Sequence, residues 1–341
     1  MNFASDNVSP QCPEILDALN AEASGNAPAY GSDATSAQLD TAFSKLFDTD
    51  VAVVPVATGT AANCISLSAL VSPFGGIVCH PEAHINEDES TGVAFFTGGA
   101  KLMPLDGPAA KLEAKSLDAF LASRVDRGVH SVAPECVAIT QATELGTVYT
   151  AREVQAIGEI CKKRDLRLFM DGARFANAVA HLGCHPGDIT WKAGVDAISF
   201  GATKNGAMAV DAIVLFDTSL RSKVEQARKR SGHLYSKHRY LASQLLAYIR
   251  GDVWLNNARH ANGAAKTLCD MLVSHGATLA HNADANELFV KLAPELAQQL
   301  RDAGALFYPW PSLGEDIYRF VTAWNTEIAQ IGLLNDRIAH K

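Results

Sequence analysis

A single lysine, Lys204, stands in DAISFGATKNGAMAVDAIVLF between two apolar runs, Ala197–Phe200 and Ala212–Phe216. Lysine is almost never fully buried without a partner, so one reading is a surface loop lysine. The other is an amine held in a dry pocket, where it attacks carbonyl compounds and forms a Schiff base. Upstream, LRLFMDGARFANA puts Asp171 at the C-terminal end of an apolar run. Open α/β sheets bind their ligands at such ends, although an aspartate there is equally a cap or turn residue. In VAVVPVATGTAANCISL a strand-like run stops at Thr58-Gly59-Thr60 and a helical pattern begins. The free N–H groups and dipole of a helix start bind phosphate; an ordinary capped helix is the plainer reading. The stretch is neither a Walker A nor a GxGxxG motif, which favours a phosphate group over a dinucleotide. CHPEAHINEDES carries His80 and His84. An HxxxH pair on a helix can ligate a metal. Pro81 interrupts such a helix and no third ligand is placed, so no metal is expected. A ring-stacking or catalytic role for one histidine is preferred.

Taken together, these groups describe one cofactor. Pyridoxal 5′-phosphate (PLP) needs a lysine for its aldehyde, a phosphate site, and a carboxylate opposite its pyridine nitrogen. That carboxylate keeps the nitrogen protonated, so the ring can withdraw electrons from a substrate's Cα. Asp171 precedes Lys204 by 33 residues, about one strand–helix–strand unit.

The elements needed to position these groups are legible. Val51–Ala57, Gly76–Cys79, Val137–Thr140, Leu166–Met170, Ala197–Phe200 and Ala212–Phe216 read as buried strands. Between two of them lies TAREVQAIGEICKKRD, where Thr150 and Glu153 form a capping box and Val154, Ile157, Ile160 and Cys161 keep helical spacing. Alternation of this kind implies an α/β fold with a mostly parallel sheet. The pattern from Thr218 to Ile249 is helical and charged. After RGDVW comes a helix at Asn262–His275, a strand at Glu287–Leu292 and a helix at Pro294–Ala303. Two strand-like runs follow, Ala305–Pro309 and Ile317–Trp324, and then a helix at Glu327–Ala339. The expected division is a large domain over 1–250 and a small C-terminal α+β domain over 251–341.

The 341 residues are 48% hydrophobic and 19% charged, which is ordinary for a globular protein with a sizeable core. The net charge of −8, with both signs mixed along the chain, gives no basic block for nucleic acid. No signal peptide and no bilayer-spanning stretch are visible. Seven scattered cysteines without a CxxC pair fit reduced thiols and a cytoplasmic location.

The segments SDNVSP, AYGSDATS, ATGTAAN, EAHINEDE, MDGARFANA, SFGATKNG, ARKRSGH and YRFVTAW resemble the L-threonine aldolases, fold-type I PLP enzymes with the aspartate aminotransferase-like fold. Within them the chain is most similar to the low-specificity bacterial type that also cleaves phenylserine. The resemblance runs along essentially the whole chain. It implies that Lys204 holds the cofactor, Asp171 pairs with the pyridine nitrogen, and Thr58, Gly59 and Thr60 hold the phosphate. His84 would stack on the ring and act in catalysis. Arg174 and Arg319 would serve the substrate carboxylate or neighbouring cofactor groups, with Ser5 and Tyr30 near the substrate. Lys229 would reach the cofactor, from a neighbouring subunit where active sites are shared. The family implies a homotetramer built as a dimer of dimers.

Three positions depart from the commoner family pattern. Gly232-His233-Leu234 replaces a glycine run, and Thr203 stands where serine is usual before the lysine. QATELGT lacks the Asn-Thr-His of many members, with Thr143 and Glu144 in its place. A histidine base from that segment is therefore absent, which leaves the β-hydroxyl proton to His84 or to water.

The implied reaction is retro-aldol cleavage of L-β-hydroxy-α-amino acids (L-threonine, L-allo-threonine, L-phenylserine) to glycine and an aldehyde. The alternatives are an aminotransferase or β-eliminating lyase on the same fold, or a catalytically idle PLP-fold binding protein. A nicotinamide dehydrogenase stands further off, for want of the glycine fingerprint.

Overall fold

The computed structural model describes residues 1–339, so the last two positions of the expected 251–341 domain lie outside the described residues. Seven strands form one sheet: β1 (Ala52–Val56), β2 (Gly76–Cys79), β3 (Lys101–Pro104), β4 (Pro134–Thr140), β5 (Arg167–Gly172), β6 (Ala197–Phe200) and β7 (Asp211–Leu215). Their order is β1-β7-β6-β5-β4-β2-β3. β7 is antiparallel to both its neighbours, and the other pairings are parallel. The six apolar runs of the sequence all became strands. The sequence pattern misses β3 because it is an edge strand with only Met103 buried.

Alternate side chains along each strand enter two separate cores. Val53, Val78, Val137, Leu168, Ile198 and Val214 pack with Phe43, Phe47, Val154, Ile157 and Leu245 on one face. Their chain neighbours Ala52, Ile77, Cys136, Phe169, Ala197 and Ile213 pack with Ile65, Leu67 and Val224 on the other. Covering both faces is what turns each strand into an unbroken apolar run rather than an alternating one. The Ala151–Lys163 helix starts with the expected capping box, Thr150 and Glu153 each accepting from the other's backbone N–H.

The helical, charged stretch after β7 forms two helices, Arg221–Arg230 and Arg239–Ile249. The first ends where Gly232 takes a positive φ of 79°. The next helix, Val253–Ser274, begins earlier than its polar residues imply, because Trp254, Ala258 and Ala261 form a narrow buried stripe. A second sheet contains β8 (Thr278–Leu279), β9 (Glu287–Lys291), β10 (Tyr308–Pro309) and β11 (Ile317–Val321), antiparallel in the order β10-β11-β9-β8. Helices Pro294–Asp302 and Ile328–Ala339 share its core.

The N-terminal residues also belong to that second core. Phe3 is buried in it, its N–H donates to Leu306 O at 2.8 Å, and its carbonyl accepts from Val321 N–H at 2.8 Å. Beyond Phe3 the chain turns towards the C-terminal ends of β4, β5 and β6. Among the described residues no helix is long and apolar enough to cross a membrane.

Candidate active site

A cavity of about 290 Å³ opens at those strand ends. Thr58, Gly59, Thr60, His84, Asp171, Arg174 and Lys204 all line it, together with Asn7, Asn63, Thr140, Glu144 and Asp211. Residues spread over about 200 positions of sequence thus converge because most of them lie at or just after a strand end or on the helix that follows one.

Lys204 sits in the single turn Thr203–Asn205 that follows β6. The turn is fixed from both sides. Asp211 Oδ1 accepts from the N–H groups of Ala202 (2.7 Å) and Thr203 (3.1 Å), while Asn205 donates to the Tyr248 hydroxyl at 2.7 Å and Trp254 O at 2.8 Å. Gly201 allows this close path, since a Cβ there would lie 2.4 Å from the carbonyl oxygen of Ala173. Lys204 itself is half-buried and has no ion-pair partner among the described residues. Burial raises the pKa of Asp211, partly offset by those two backbone donors and by Lys204.

Asp171 is the penultimate residue of β5 and is buried. Its Oδ1 accepts from Ala173 N–H at 3.0 Å and its Oδ2 from Asn63 Nδ2 at 2.7 Å. A carboxylate offers about four acceptor positions, so capacity remains on the Oδ2 side. The same Asn63 nitrogen donates to Glu89 Oε1 at 2.8 Å, and that oxygen also meets His84 Nδ1 at 2.9 Å. A polar chain therefore runs His84–Glu89–Asn63–Asp171. The hydrogen bond to Glu89 raises the pKa of His84, against the opposing pull of burial. Ligand-capable atoms of His84, Glu89 and Asp171 lie within 4.8 Å of one another, a grouping these hydrogen bonds account for without an ion. His80 takes no part, because Glu82 N–H and Gly107 O occupy its two ring nitrogens.

Thr58 caps the Gly59–Leu70 helix, its hydroxyl accepting from Ala61 N–H at 3.1 Å and its carbonyl from Ala62 N–H. That leaves the Gly59 and Thr60 N–H groups as the anion donors of this helix end. A half-buried unpaired amine, a buried carboxylate with spare acceptor capacity and an open helix N-terminus around one cavity fit PLP group by group.

Arg174 lines the cavity, yet most of its guanidinium is engaged. Its Nε and Nη2 donate to Asp6 at 2.8 and 3.0 Å, and Nη1 pairs with Glu287 Oε2 at 2.9 Å. Burial pushes the Asp6 carboxyl up, but the charges of Arg174 and Lys204 and the hydrogen bonds from Arg174 and Asn286 together outweigh it, and the net shift is down. Arg319 stands outside the lining. Its Nη2 donates to Ala4 O at 3.1 Å, its Nη1 lies 4.0 Å from Glu287 Oε1, and it stacks on Trp310. Ser5 also stands outside it, its hydroxyl accepting from Asn7 N–H. Tyr30 and Lys229 pair with each other away from the cavity, the amine 5.3 Å from the ring centroid.

Sequence reasoning missed Asn63, Glu89 and the position of Glu144. Asn63 had a signal, as an amide inside a helix that is otherwise buried nearly all round. Glu144 Oε1 accepts from His84 N–H at 2.9 Å and from the Thr140 hydroxyl at 2.7 Å. Its Oε2 is buried without a hydrogen-bond partner among the described residues.

The family model for β-eliminating lyases matches residues 2–295. The low-specificity L-threonine aldolase of Pseudomonas aeruginosa is 39% identical over 330 residues, spanning 96% of this chain and 94% of that protein. The threonine aldolase of Leishmania major matches in structure with a TM-score of 0.92 at 27% identity, over 99% of this chain and 98% of its own. An aspartate aminotransferase of Thermus thermophilus matches with a TM-score of 0.70 at 14% identity, over 99% of this chain and 90% of its own, a likeness of fold alone.

Proposed function

The chain belongs to the L-threonine aldolases of the β-eliminating lyase family, and on that footing we propose that its substrates are L-threonine, L-allo-threonine and L-phenylserine, each cleaved to glycine and an aldehyde. The cofactor is PLP. When bound, PLP supplies a sink for the electron pair released as a bond to Cα breaks. The observation that carries the reading is the meeting of Lys204, Asp171 and the Gly59–Leu70 helix N-terminus in one cavity.

The residues then divide the work. Lys204 is the amine that would hold the cofactor aldehyde. Asp171, itself fixed by Asn63, keeps a proton on the pyridine nitrogen. Thr58, Gly59 and Thr60 hold the phosphate. His84 contributes a flat imidazole to the cavity wall beside the reacting atoms. Arg174 keeps N–H groups beyond those taken by Asp6 and Glu287, because a guanidinium has five. These orient the substrate carboxylate, with Arg319 and Ser5 behind them, and so select the Cα–Cβ bond for cleavage. Tyr30 and Lys229 complete the site of a neighbouring subunit in a tetramer built as a dimer of dimers, located in the cytoplasm. The large domain over 1–250 carries the cofactor, and 251–341 closes over the substrate side.

The test is direct. The purified protein is incubated with each of the three amino acids, and glycine and aldehydes are identified. Borohydride should fix the cofactor on the peptide containing Lys204. Keto acids or ammonia without glycine would move the activity to transamination or β-elimination. Label on another lysine would remove Lys204 from its role.

A further inference from the structure

We propose that Glu144 is the catalytic residue that removes the proton from the substrate's β-hydroxyl, an inference that rests on the aldolase reading above. The geometry carries it. Glu144 follows β4 and lines the cavity with Asp171, Arg174 and Lys204. One of its oxygens is immobilised: Oε1 accepts both from His84 N–H at 2.9 Å and from the Thr140 hydroxyl at 2.7 Å. The other, Oε2, is out of solvent and has no hydrogen-bond partner among the described residues. A buried polar atom without a partner is unfavourable, because it gives up its hydrogen bonds to water and gains none. Such an atom beside a ligand cavity is explained when the ligand brings the missing partner. A β-hydroxyl is a donor of the right kind.

His84 suits the role less well. Its Nδ1 is bound to Glu89 Oε1, and that contact favours the protonated ring, which cannot accept a proton. Glu144 has the opposite setting. Burial, with Asp171 adding to it, raises its pKa to about 7, against the Thr140 and His84 donors. The charged groups around it are Asp171 near the end of β4's neighbour strand β5, Arg174 beyond it, the His84 imidazole and Lys204, with Cys79 and Tyr149 also nearby. A base works best with a pKa near the operating pH.

The step balances. Glu144 Oε2 takes the hydroxyl proton, and the O–H electron pair becomes the second bond of the aldehyde C=O. The Cα–Cβ bond breaks and its pair stays with the glycyl fragment. A proton then adds at Cα, so the proton lost at oxygen is matched by one gained at carbon, and Glu144 returns its own proton to solvent or substrate.

The test compares wild type with Glu144→Gln in the PLP-loaded enzyme. Three quantities are read: aldehyde release from L-threonine and L-phenylserine, deuterium exchange of the α-proton of glycine followed by NMR, and cofactor absorbance retained after dialysis. Glycine has no β-hydroxyl, so its exchange reports on the rest of the site. Cleavage should fall by about 10²–10⁴-fold in E144Q, with exchange within about threefold of wild type and cofactor retained. Wild-type kcat/KM for cleavage should rise with pH through about 7, as Glu144 loses its proton, and E144Q should lack that limb. Cleavage by E144Q near the wild-type rate overturns the proposal while leaving the aldolase reading intact. So does equal loss of cleavage and exchange, which makes Glu144 a positioning residue for the whole site, and so does a wild-type profile without the limb. Absence of aldehyde release by wild type overturns the aldolase reading, and this inference with it.

Discussion

Replacing Arg174 by alanine should destabilise the protein by about 4–5 kcal/mol at pH 8, the upper part of the range of about 3–5 kcal/mol for breaking a buried ion pair from one side. The upper part applies because two carboxylates lose the same partner. Arg174 is 12% exposed at its side chain, and Asp6 and Glu287 are 1% exposed each. Without the guanidinium, Asp6 keeps only the more distant Lys204 charge and Asn286, which donates at 3.0 Å. Glu287 keeps Arg319 at 4.0 Å. The sign of the pH dependence follows. In wild type the pKa of Asp6 lies below its ordinary 3.8, so its contribution is full above that value and is lost only as pH falls through the lowered one. In R174A, burial, the largest influence on Asp6, is opposed only by Lys204 and Asn286, and it lifts the pKa above the unfolded value. Burial already raises Glu287 in wild type, and losing Arg174 lifts it further. The variant therefore gains stability as pH falls, and the gap to wild type is widest at pH 8 and narrows towards acid. Urea unfolding at fixed protein and PLP concentration measures it, since bound cofactor shifts apparent stability. Arg174→Lys keeps the charge without the two-pronged grip on Asp6 and should fall between. A gap at pH 8 under about 1 kcal/mol, the scale of a surface ion pair, would refute the reasoning. A gap that does not change with pH would also refute it.

Asp171→Asn keeps the shape of the side chain and removes its charge. Cleavage kcat should fall by about 10²–10³-fold, as for loss of a charge-stabilising group; near-normal turnover would end the electronic role assigned to Asp171. His84→Phe keeps a flat ring and removes both nitrogens. Cofactor retention should persist and cleavage should stay within about tenfold, whereas a loss of about 10²–10⁴-fold would make His84 the base. Gly158→Ala sets two effects against each other. Helix propensity favours alanine by about 1 kcal/mol, but its Cβ would stand 1.9 Å from the carbonyl oxygen of Ala193. Overpacking costs about 1–3 kcal/mol, so Tm should drop, and an unchanged or higher Tm would show that the 191–194 turn yields freely.

The fold was legible because the sheet is covered on both faces, so its strands print themselves as apolar runs. Residues at or after a strand end, such as Asp171 and Lys204, could be placed for the same reason. β3 was hidden because an edge strand needs little apolar surface. The chain His84–Glu89–Asn63–Asp171 was hidden for another reason. It joins side chains from a helix, a one-turn helix and a strand, and no spacing in sequence encodes that meeting. Glu144 was visible only as a departure from a pattern; that its second oxygen lacks a partner is a property of packing alone. Arg174 shows the reverse limit, since the sequence marks it as functional but does not show that Asp6 and Glu287 already hold it.

The antiparallel join between β1 and β7 has a bearing on synthesis. β1 is fully buried in the finished sheet, and its one neighbour, β7, is paired from Ala52 with Leu215. At about 5–20 residues per second, a ribosome needs roughly ten to thirty seconds to add the residues between them. For that time the nascent chain carries an apolar segment with no sheet to join, and crowded polysomes hold many copies of it close together. Pro55, the fourth of the five residues of this edge strand, has no N–H to donate. It breaks the row of donors along which one nascent chain would pair with the next, yet the finished sheet tolerates it because an edge strand has a free side.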